Sequence, residues 1–508
     1  MNDDEITQAV SRVLSKYTKT TPEAPVQNVT VPASQPDRAS IEAIVASVLA
    51  SRTTAAPAPV TAPAPAPVSG EGAFATMDEA IAAAQQAQIQ YRHCSMQERA
   101  RFVDGIRQVF LQEEILQQLS SMAVEETGMG NYADKLLKNR VAAQKTPGVE
   151  DLITGAMSGD SGLTITEYSA YGVIGSITPT TNPTETIINN SIGMLAAGNA
   201  VVFSPHPRSR NVSLYAVALI NRQLARLGAP ANLVATVTQP SLDNTNALIK
   251  DPRVNMLVAT GGPAIVRTVM SSGKKAIGAG AGNPPAVVDE TANIEKAAQD
   301  IINGCSFDNN LPCVAEKEVI VVNDVADYLI HCMKKSGAWL LCDKQHIQQL
   351  QSLVMNEKGT GPNTAFVGKD ARYILQQIGI SVPEEIKVIL IETESDHPFV
   401  VHELMMPILP VVRVANVDDA IDLAVKVEHG NRHTAIMHST NVAKLTKMAQ
   451  LIQTTIFVKN GPSYAGLGVG GEGHTTFTIA GPTGEGLTSA RNFARSRRCV
   501  MVEALNIR

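Results

Sequence analysis

The sequence predicts an α/β protein of two doubly wound domains with a cleft between them, and three observations carry that prediction. From about Glu71 onward, short apolar runs of strand length alternate with amphipathic helical stretches. The alternation occurs twice, which divides the chain into a domain over 71–295 and a second over 296–490. A length of 508 residues with 44% hydrophobic and 18% charged residues is enough for more than one buried core.

Taken in order, residues 1–70 stand apart from the rest. Ile6, Val10, Val13 and Leu14 share one helical face, and Ile41, Val45, Val48 and Leu49 repeat that face at a constant offset. Thr20–Pro36 and Thr53–Gly70 are Pro-, Thr- and Ala-rich tethers. Helices this short are marginal alone in water, so residues 1–18 and 40–52 read as docking peptides. Folding back onto the main body is the competing arrangement.

In the first domain the expected strands are Gly172–Thr178, Ala200–Phe203, Leu233–Val237, Met256–Thr260 and Ala286–Val288. The helical stretches are Asp78–Gln90, Met96–Glu114, Glu185–Ala197 and Val212–Leu227. The second alternation carries strands at Val319–Val322, Val388–Ile391, Val411–Val414 and Ile456–Lys459. Residues 491–508 form a basic tail, helix then strand.

Composition excludes several functions. A net charge of −6 offers no basic field for nucleic acid. No apolar run approaches the ~18 residues of a membrane span. The start, Met1-Asn-Asp-Asp-Glu5, lacks the basic and apolar regions of a secretion signal, so a cytoplasmic setting is expected. Six scattered cysteines (94, 305, 313, 332, 342 and 499) suit a reducing compartment. No Cys pair has zinc spacing, and His429 and His433 flank a turn without a carboxylate or thiol partner, so no metal is expected.

The chemistry sits in loops. Thr178-Pro-Thr-Thr-Asn-Pro183 follows a strand and precedes a helix, the place where α/β folds bind ligands. Leu195-Ala-Ala-Gly-Asn-Ala-Val-Val-Phe-Ser-Pro205 ends a helix and enters a strand. Then come Thr260-Gly261-Gly262, Gly280-Ala-Gly-Asn-Pro-Pro285, Phe307-Asp-Asn-Asn-Leu-Pro-Cys313 and Glu403-Leu-Met-Met-Pro407. Singly these are ordinary turns, and a lone cysteine is more often a small buried hydrophobe than a nucleophile.

In this order, the six segments resemble the aldehyde dehydrogenase superfamily over residues 71–508. The resemblance implies that Cys313 attacks an aldehyde and becomes a thioester once hydride has left to nicotinamide. It implies that Glu403 holds the nicotinamide ribose, and that Pro179, Thr180, Ser204, His206, Thr260, Gly261, Gly262, Ala279, Gly280 and Ala281 line the cofactor site. It places an oxyanion-binding side chain at Thr181 or Asn182, with Asn182 favoured. The tail at 491–508 would build an oligomerisation β-element, giving a homodimer or homotetramer.

Two departures from the family pattern decide the subclass. Hydrolytic members carry a base glutamate where Ala279 stands, so a thiol rather than water is expected to release the acyl group, which is the pattern of the coenzyme A-acylating branch. Ser204 replaces a lysine near the adenosine ribose, which favours NAD over NADP. Gly466–Thr475 resembles a segment bordering the site in the acylating branch, with His474 as a candidate contact. The Phe307–Lys317 run is closest to the branch found in propanediol-utilising bacterial microcompartments. This implies propionaldehyde as substrate, NAD and coenzyme A as cofactors, and shell or cargo proteins as partners. The rival readings are an acetaldehyde-specific acylating enzyme, a hydrolytic dehydrogenase, and a non-catalytic assembly protein that keeps the fold.

Overall fold

A computed structural model describes residues 71–507. The docking stretches 1–18 and 40–52 lie outside the described residues. Two parallel sheets dominate. The first has six strands in the order β1 (Ala73–Phe74), β6 (Val234–Val237), β5 (Ala200–Pro205), β4 (Val173–Thr178), β7 (Val254–Thr260) and β8 (Lys275–Ala279). Every residue of β4, β5 and β6 is buried, as expected of parallel strands covered on both faces.

The second sheet runs β11 (Ala338–Leu340), β12 (Val388–Glu392), β13 (Ile408–Val414), β10 (Glu318–Val322), β9 (Pro285–Val288), β14 (Thr434–His438) and β15 (Ile456–Lys459). β9 pairs with β10 and β14 rather than with any strand of the first sheet. The chain therefore crosses between sheets after Ala279, earlier than residue 295. A Gly- and Pro-rich connection, Gly280–Pro284, makes the crossing.

Two further corrections concern local structure. The stretch expected as one helix over Met96–Glu114 ends at Phe110, and a new helix, Glu113–Thr127, starts after Gln112 takes an extended conformation (ψ 129°). No Gly or Pro marks this break, so periodicity runs through it. The tail has no α-helix. A 3-10 turn, Ala490–Phe493, leads into β18 (Ala494–Val502), which pairs antiparallel with β3 (Gly162–Ala170), itself paired with β2 (Gly155–Gly159). A last pair, β16 (Ile479–Ala480) and β17 (Gly486–Leu487), lies beside the first sheet.

Local chemistry explains the elements that frame the site. Helices Met77–Tyr91 and Met96–Phe110 each open on a capping box, Thr76/Glu79 and Ser95/Glu98. Helix Pro183–Ala196 is buried along its whole length. Its two asparagines are paired: Asn189 donates to Thr146 Oγ1 at 2.9 Å and Asn190 to Ser176 Oγ at 3.1 Å. It ends at Gly198, whose φ of +87° suits glycine, and Asn199 then locks the exit. Asn199 Oδ1 accepts from the amides of Tyr171 and Gly172, while its Nδ2 donates to Met194 O and Phe493 O. The Ala-Ala-Gly-Asn segment is thus a structural clamp at the foot of β4 and β5.

Candidate active site

In the first sheet the order reverses around β4, whose chain continuation lies on one side and β7 on the other. Ligands of open α/β sheets bind at the carboxyl ends of strands at such a point. A cleft of about 820 Å³ opens there, and the ends of β4, β5, β7 and β8 reach it through Thr178, Ser204, Thr260 and Ala279. Across it stand Cys313, Glu403 and Met405 of the second domain. The cleft is lined by Pro179, Thr180, Thr181, Asn182, Ser204, His206, Thr260, Gly261, Gly262, Ala279, Gly280, Ala281, Cys313 and Glu403 among others. His474 does not line it.

The Phe-Asp-Asn-Asn run before Cys313 is a turn that only these residue types hold comfortably. Asp308, Asn309 and Asn310 have φ of 49°, 54° and 65°, the left-handed region that Asn and Asp tolerate best. Each side chain pins the turn. Asp308 Oδ1 accepts from Asn131 N at 2.9 Å, Asn309 Nδ2 donates to Gly368 O at 3.0 Å, and Asn310 Nδ2 donates to Cys305 O at 2.9 Å and Glu316 O at 3.0 Å. Phe307 packs on Tyr464 with ring centroids 5.1 Å apart.

Lys317 reaches back under the same loop. Its buried ammonium donates to Asn310 Oδ1 at 2.7 Å and Asn310 O at 3.0 Å, and it stands 3.8 Å from Glu403 Oε1. Burial pushes the Cys313 thiol up to about 12, and the nearby Glu403 charge adds to this, while Lys317 opposes both. Burial likewise raises Glu403 to about 6, again against the pull of Lys317.

Gly282 lies beside both the Cys313 carbonyl and the His433 ring. A Cβ there would lie 2.7 Å from Cys313 O and 3.0 Å from His433 Cγ, so glycine is the residue that fits without a shift of either. His433 is 1% exposed; burial, reinforced by Lys317, lowers it to about 4, so the ring is neutral near neutral pH. Its Nδ1 meets Thr434 Oγ1 at 2.9 Å, and Nε2 is buried without a hydrogen-bond partner. Sequence reasoning saw His433 only as a non-metal turn residue and passed over Lys317. A buried position for either could have been suspected only from the apolar strands that follow them.

Other expected residues are partly committed elsewhere. Ser204 Oγ shares a hydrogen bond with Thr245 Oγ1 at 2.8 Å. His206 Nδ1 accepts from Arg208 N at 3.2 Å and caps the turn Pro207–Ser209, and burial lowers its pKa, so it brings no charge to the cleft at neutral pH. The Gly466–Thr475 loop is tied down by Lys145, whose Nζ donates to Gly468 O and whose carbonyl accepts from Thr475 N at 3.1 Å. Glu316 adds a second tie, accepting from Ser463 N at 2.8 Å and Ser463 Oγ at 2.7 Å, with burial raising it to about 7. Among the described residues no group of three His, Cys, Asp or Glu side chains could hold a metal ion, and no helix is long and apolar enough to cross a membrane.

The chain is similar to known proteins over most of its length. It is 50% identical to the CoA-propanoylating propanal dehydrogenase of Salmonella typhimurium over 470 residues, covering 92% of this chain and 99% of that one. The crystal structure of Rhodopseudomonas palustris propionaldehyde dehydrogenase with bound propionyl-CoA superposes with a TM-score of 0.85 at 71% identity, covering 86% of this chain and 97% of that one. A propionaldehyde dehydrogenase from the fucose utilisation bacterial microcompartment of Clostridium phytofermentans superposes at 0.84 with 52% identity, covering 86% of this chain and all (100%) of that one. The aldehyde dehydrogenase family matches residues 52–487, most of this chain, and the chain belongs to that family.

Proposed function

We propose that this enzyme oxidises a short aldehyde, propionaldehyde for preference, to its acyl-CoA, with NAD as hydride acceptor and coenzyme A as acyl acceptor. One observation carries the reading: Cys313 faces a cleft in which Ala279 occupies the end of β8 and the only lining carboxylate among the described residues is Glu403. A thioester on Cys313 then meets no lining carboxylate at the cleft end of β8 to activate water, whereas an incoming thiol exchanges with it readily.

The residues fit a dinucleotide. Helix Pro263–Met270 opens at Gly262 without a side-chain cap, leaving its first amides for a pyrophosphate. Glu403 Oε1 is buried without a hydrogen-bond partner, as a carboxylate awaiting ribose hydroxyls would be. Among the described residues no Lys or Arg lines the cleft to meet a 2′-phosphate, which supports NAD. When bound, the nicotinamide ring supplies the hydride acceptor and coenzyme A the thiol.

The chain's own groups do the rest. Cys313 adds to the aldehyde carbon as its thiol proton leaves to solvent in the cleft. Asn182 Nδ2 and backbone amides near Cys313 receive the oxyanion. Loss of hydride leaves the thioester, and coenzyme A takes the acyl group and returns the Cys313 thiol.

The relative from a bacterial microcompartment and the repeated amphipathic pattern of residues 1–18 and 40–52 support docking to shell or cargo proteins within such a compartment in the cytoplasm. The edge strand β18, with Val500 57% and Val502 66% exposed, supports assembly of two or four chains. The decisive experiment is NADH formation from propionaldehyde and NAD with and without coenzyme A. Sustained turnover only with coenzyme A is expected; equal turnover without it would mean that water deacylates Cys313. A chain lacking residues 1–60 should keep its activity and lose shell association, and loss of activity would place those residues on the main body.

A further inference from the structure

Four charged side chains are sealed beneath the cleft. Lys135, Lys138, Glu185 and Asp308 are each no more than 1% exposed at the side chain. Lys138 Nζ contacts Asp308 Oδ2 at 2.5 Å and Glu185 Oε1 at 3.0 Å, and Lys135 Nζ lies 2.9 Å from Asp308 Oδ2. Each ammonium meets a carboxylate, which is what lets such a cluster exist without water, and a further buried carboxylate, Asp134, accepts from Asp308 N at 2.7 Å. Burial lowers Lys135, whereas at Lys138 the two carboxylates outweigh burial and keep the ammonium charged.

The cluster joins the loops that must cooperate. Asp308 belongs to the left-handed turn that leads into Cys313. The lysines come from helix Tyr132–Lys145, and each also holds the loop after β4. Lys135 Nζ donates to Thr181 O at 2.5 Å, and Lys138 Nζ donates to Asn182 Oδ1 at 2.6 Å. An ammonium can only donate, so Asn182 must turn its oxygen to Lys138 and its Nδ2 away. One Nδ2 hydrogen goes to Thr181 Oγ1 at 3.2 Å, and the other is left for the cleft.

We infer that Lys138 is a positioning residue: anchored by Asp308 and Glu185, it holds Asn182 Oδ1 and so turns the donor face of Asn182 to the cleft. Without it the Asn182 amide can turn over and present oxygen where the oxyanion forms, replacing attraction by repulsion. The inference rests on the acylating dehydrogenase reading, but on neither the substrate's chain length nor the acyl acceptor.

The test is the pre-steady-state NADH burst with propionaldehyde and NAD, in wild type, Lys138→Met, Lys138→Gln, Asn182→Ala and the Lys138→Met/Asn182→Ala pair. NAD affinity and the rate of Cys313 alkylation by iodoacetamide are measured alongside. Loss of one oxyanion donor costs about 10²–10³-fold, so Lys138→Met and Asn182→Ala should each slow the burst by that amount while NAD binding and alkylation hold. The pair should be no slower than either single change, because Lys138 acts through Asn182. Lys138→Gln, which keeps a donor, should recover at least tenfold of the loss. If Lys138→Met does not fold, Lys138→Met with Glu185→Gln removes one charge of each sign and carries the same cycle. Losses that multiply in the pair, a burst within threefold of wild type, or alkylation lost together with the burst would each overturn the inference. Absence of any burst in wild type would instead refute the proposed reaction.

Discussion

Lys317 Nζ stands 3.8 Å from Glu403 Oε1 while donating to Asn310 in the turn before Cys313. One buried cation therefore faces both the Glu403 carboxylate and the turn that carries Cys313. It holds Glu403 from rising further, yet burial still leaves that carboxyl at about 6.

NAD affinity should accordingly depend on pH. Only the ionised carboxylate accepts from both ribose hydroxyls, so binding should be full above pH 7 and should weaken as pH falls through about 6. Glu403→Gln should weaken NAD by about tenfold or more, as for a lost charged hydrogen bond, and should flatten the profile. Fluorescence titration at several pH values measures both. A wild-type profile that stays flat from pH 8 to 5 would show that Glu403 does not hold the cofactor.

Acid should destabilise the fold through two buried histidines. His433 and His438 are lowered to about 4 and about 3, chiefly by burial. In this window the unfolded chain binds protons that the folded chain excludes, so stability is full above pH 6.5 and is lost as pH falls. From the shifts, the loss would reach roughly 3 kcal/mol for His433 and roughly 5 kcal/mol for His438 once pH passes below the folded values. Thermal melts from pH 7 to 4.5 should show a falling Tm, and His438→Gln should reduce the slope. An unchanged slope would mean that other groups govern acid unfolding.

The parts of the molecule legible in sequence are those set by local pattern. The apolar runs of β4, β5, β7 and β10 are buried on both faces, so they stand out without any knowledge of their neighbours. The site loops are legible because they follow such strands. Lys135, Lys138 and Glu185 are not, because on a helix each looks like a solvated charge, and only the fold brings counter-charges to them. The break at Leu111–Gln112 carries no Gly or Pro. The assignment of β9 to the second sheet depends on which strands it meets, and no periodicity reports that.

Gly282 offers a steric test of how Cys313 is placed. Its φ lies outside the left-handed region, so Gly282→Ala acts through the added methyl, which would sit 2.7 Å from Cys313 O and 3.0 Å from His433 Cγ. Cys313 or His433 must shift, and overpacking of this kind costs about 1–3 kcal/mol. Activity should fall further than stability, by about 100-fold, because displacement of a reacting group by ~1 Å is felt at that scale. Steady-state rates beside a thermal melt separate the two effects. A variant with normal turnover would show that the placement of Cys313 does not depend on the space beside Gly282.

Ala279 gives the sharpest test of the acyl acceptor. It is 4% exposed at the end of β8 and lines the cleft with Cys313, where Glu403 is the one lining carboxylate among the described residues. If the missing base is what protects the thioester from water, Ala279→Glu should restore hydrolysis. Propionate should then form from propionaldehyde and NAD without coenzyme A, and the yield of propionyl-CoA should drop as water competes. A positioned base contributes about 10²–10⁴-fold, so even an imperfectly placed carboxylate at this position should raise the hydrolytic rate by about tenfold or more. Chromatographic separation of propionate from propionyl-CoA reads the partition directly. If wild type already forms propionate at the rate of the variant, the absence of a carboxylate at Ala279 does not protect the thioester, and access of coenzyme A to Cys313 must decide the product instead.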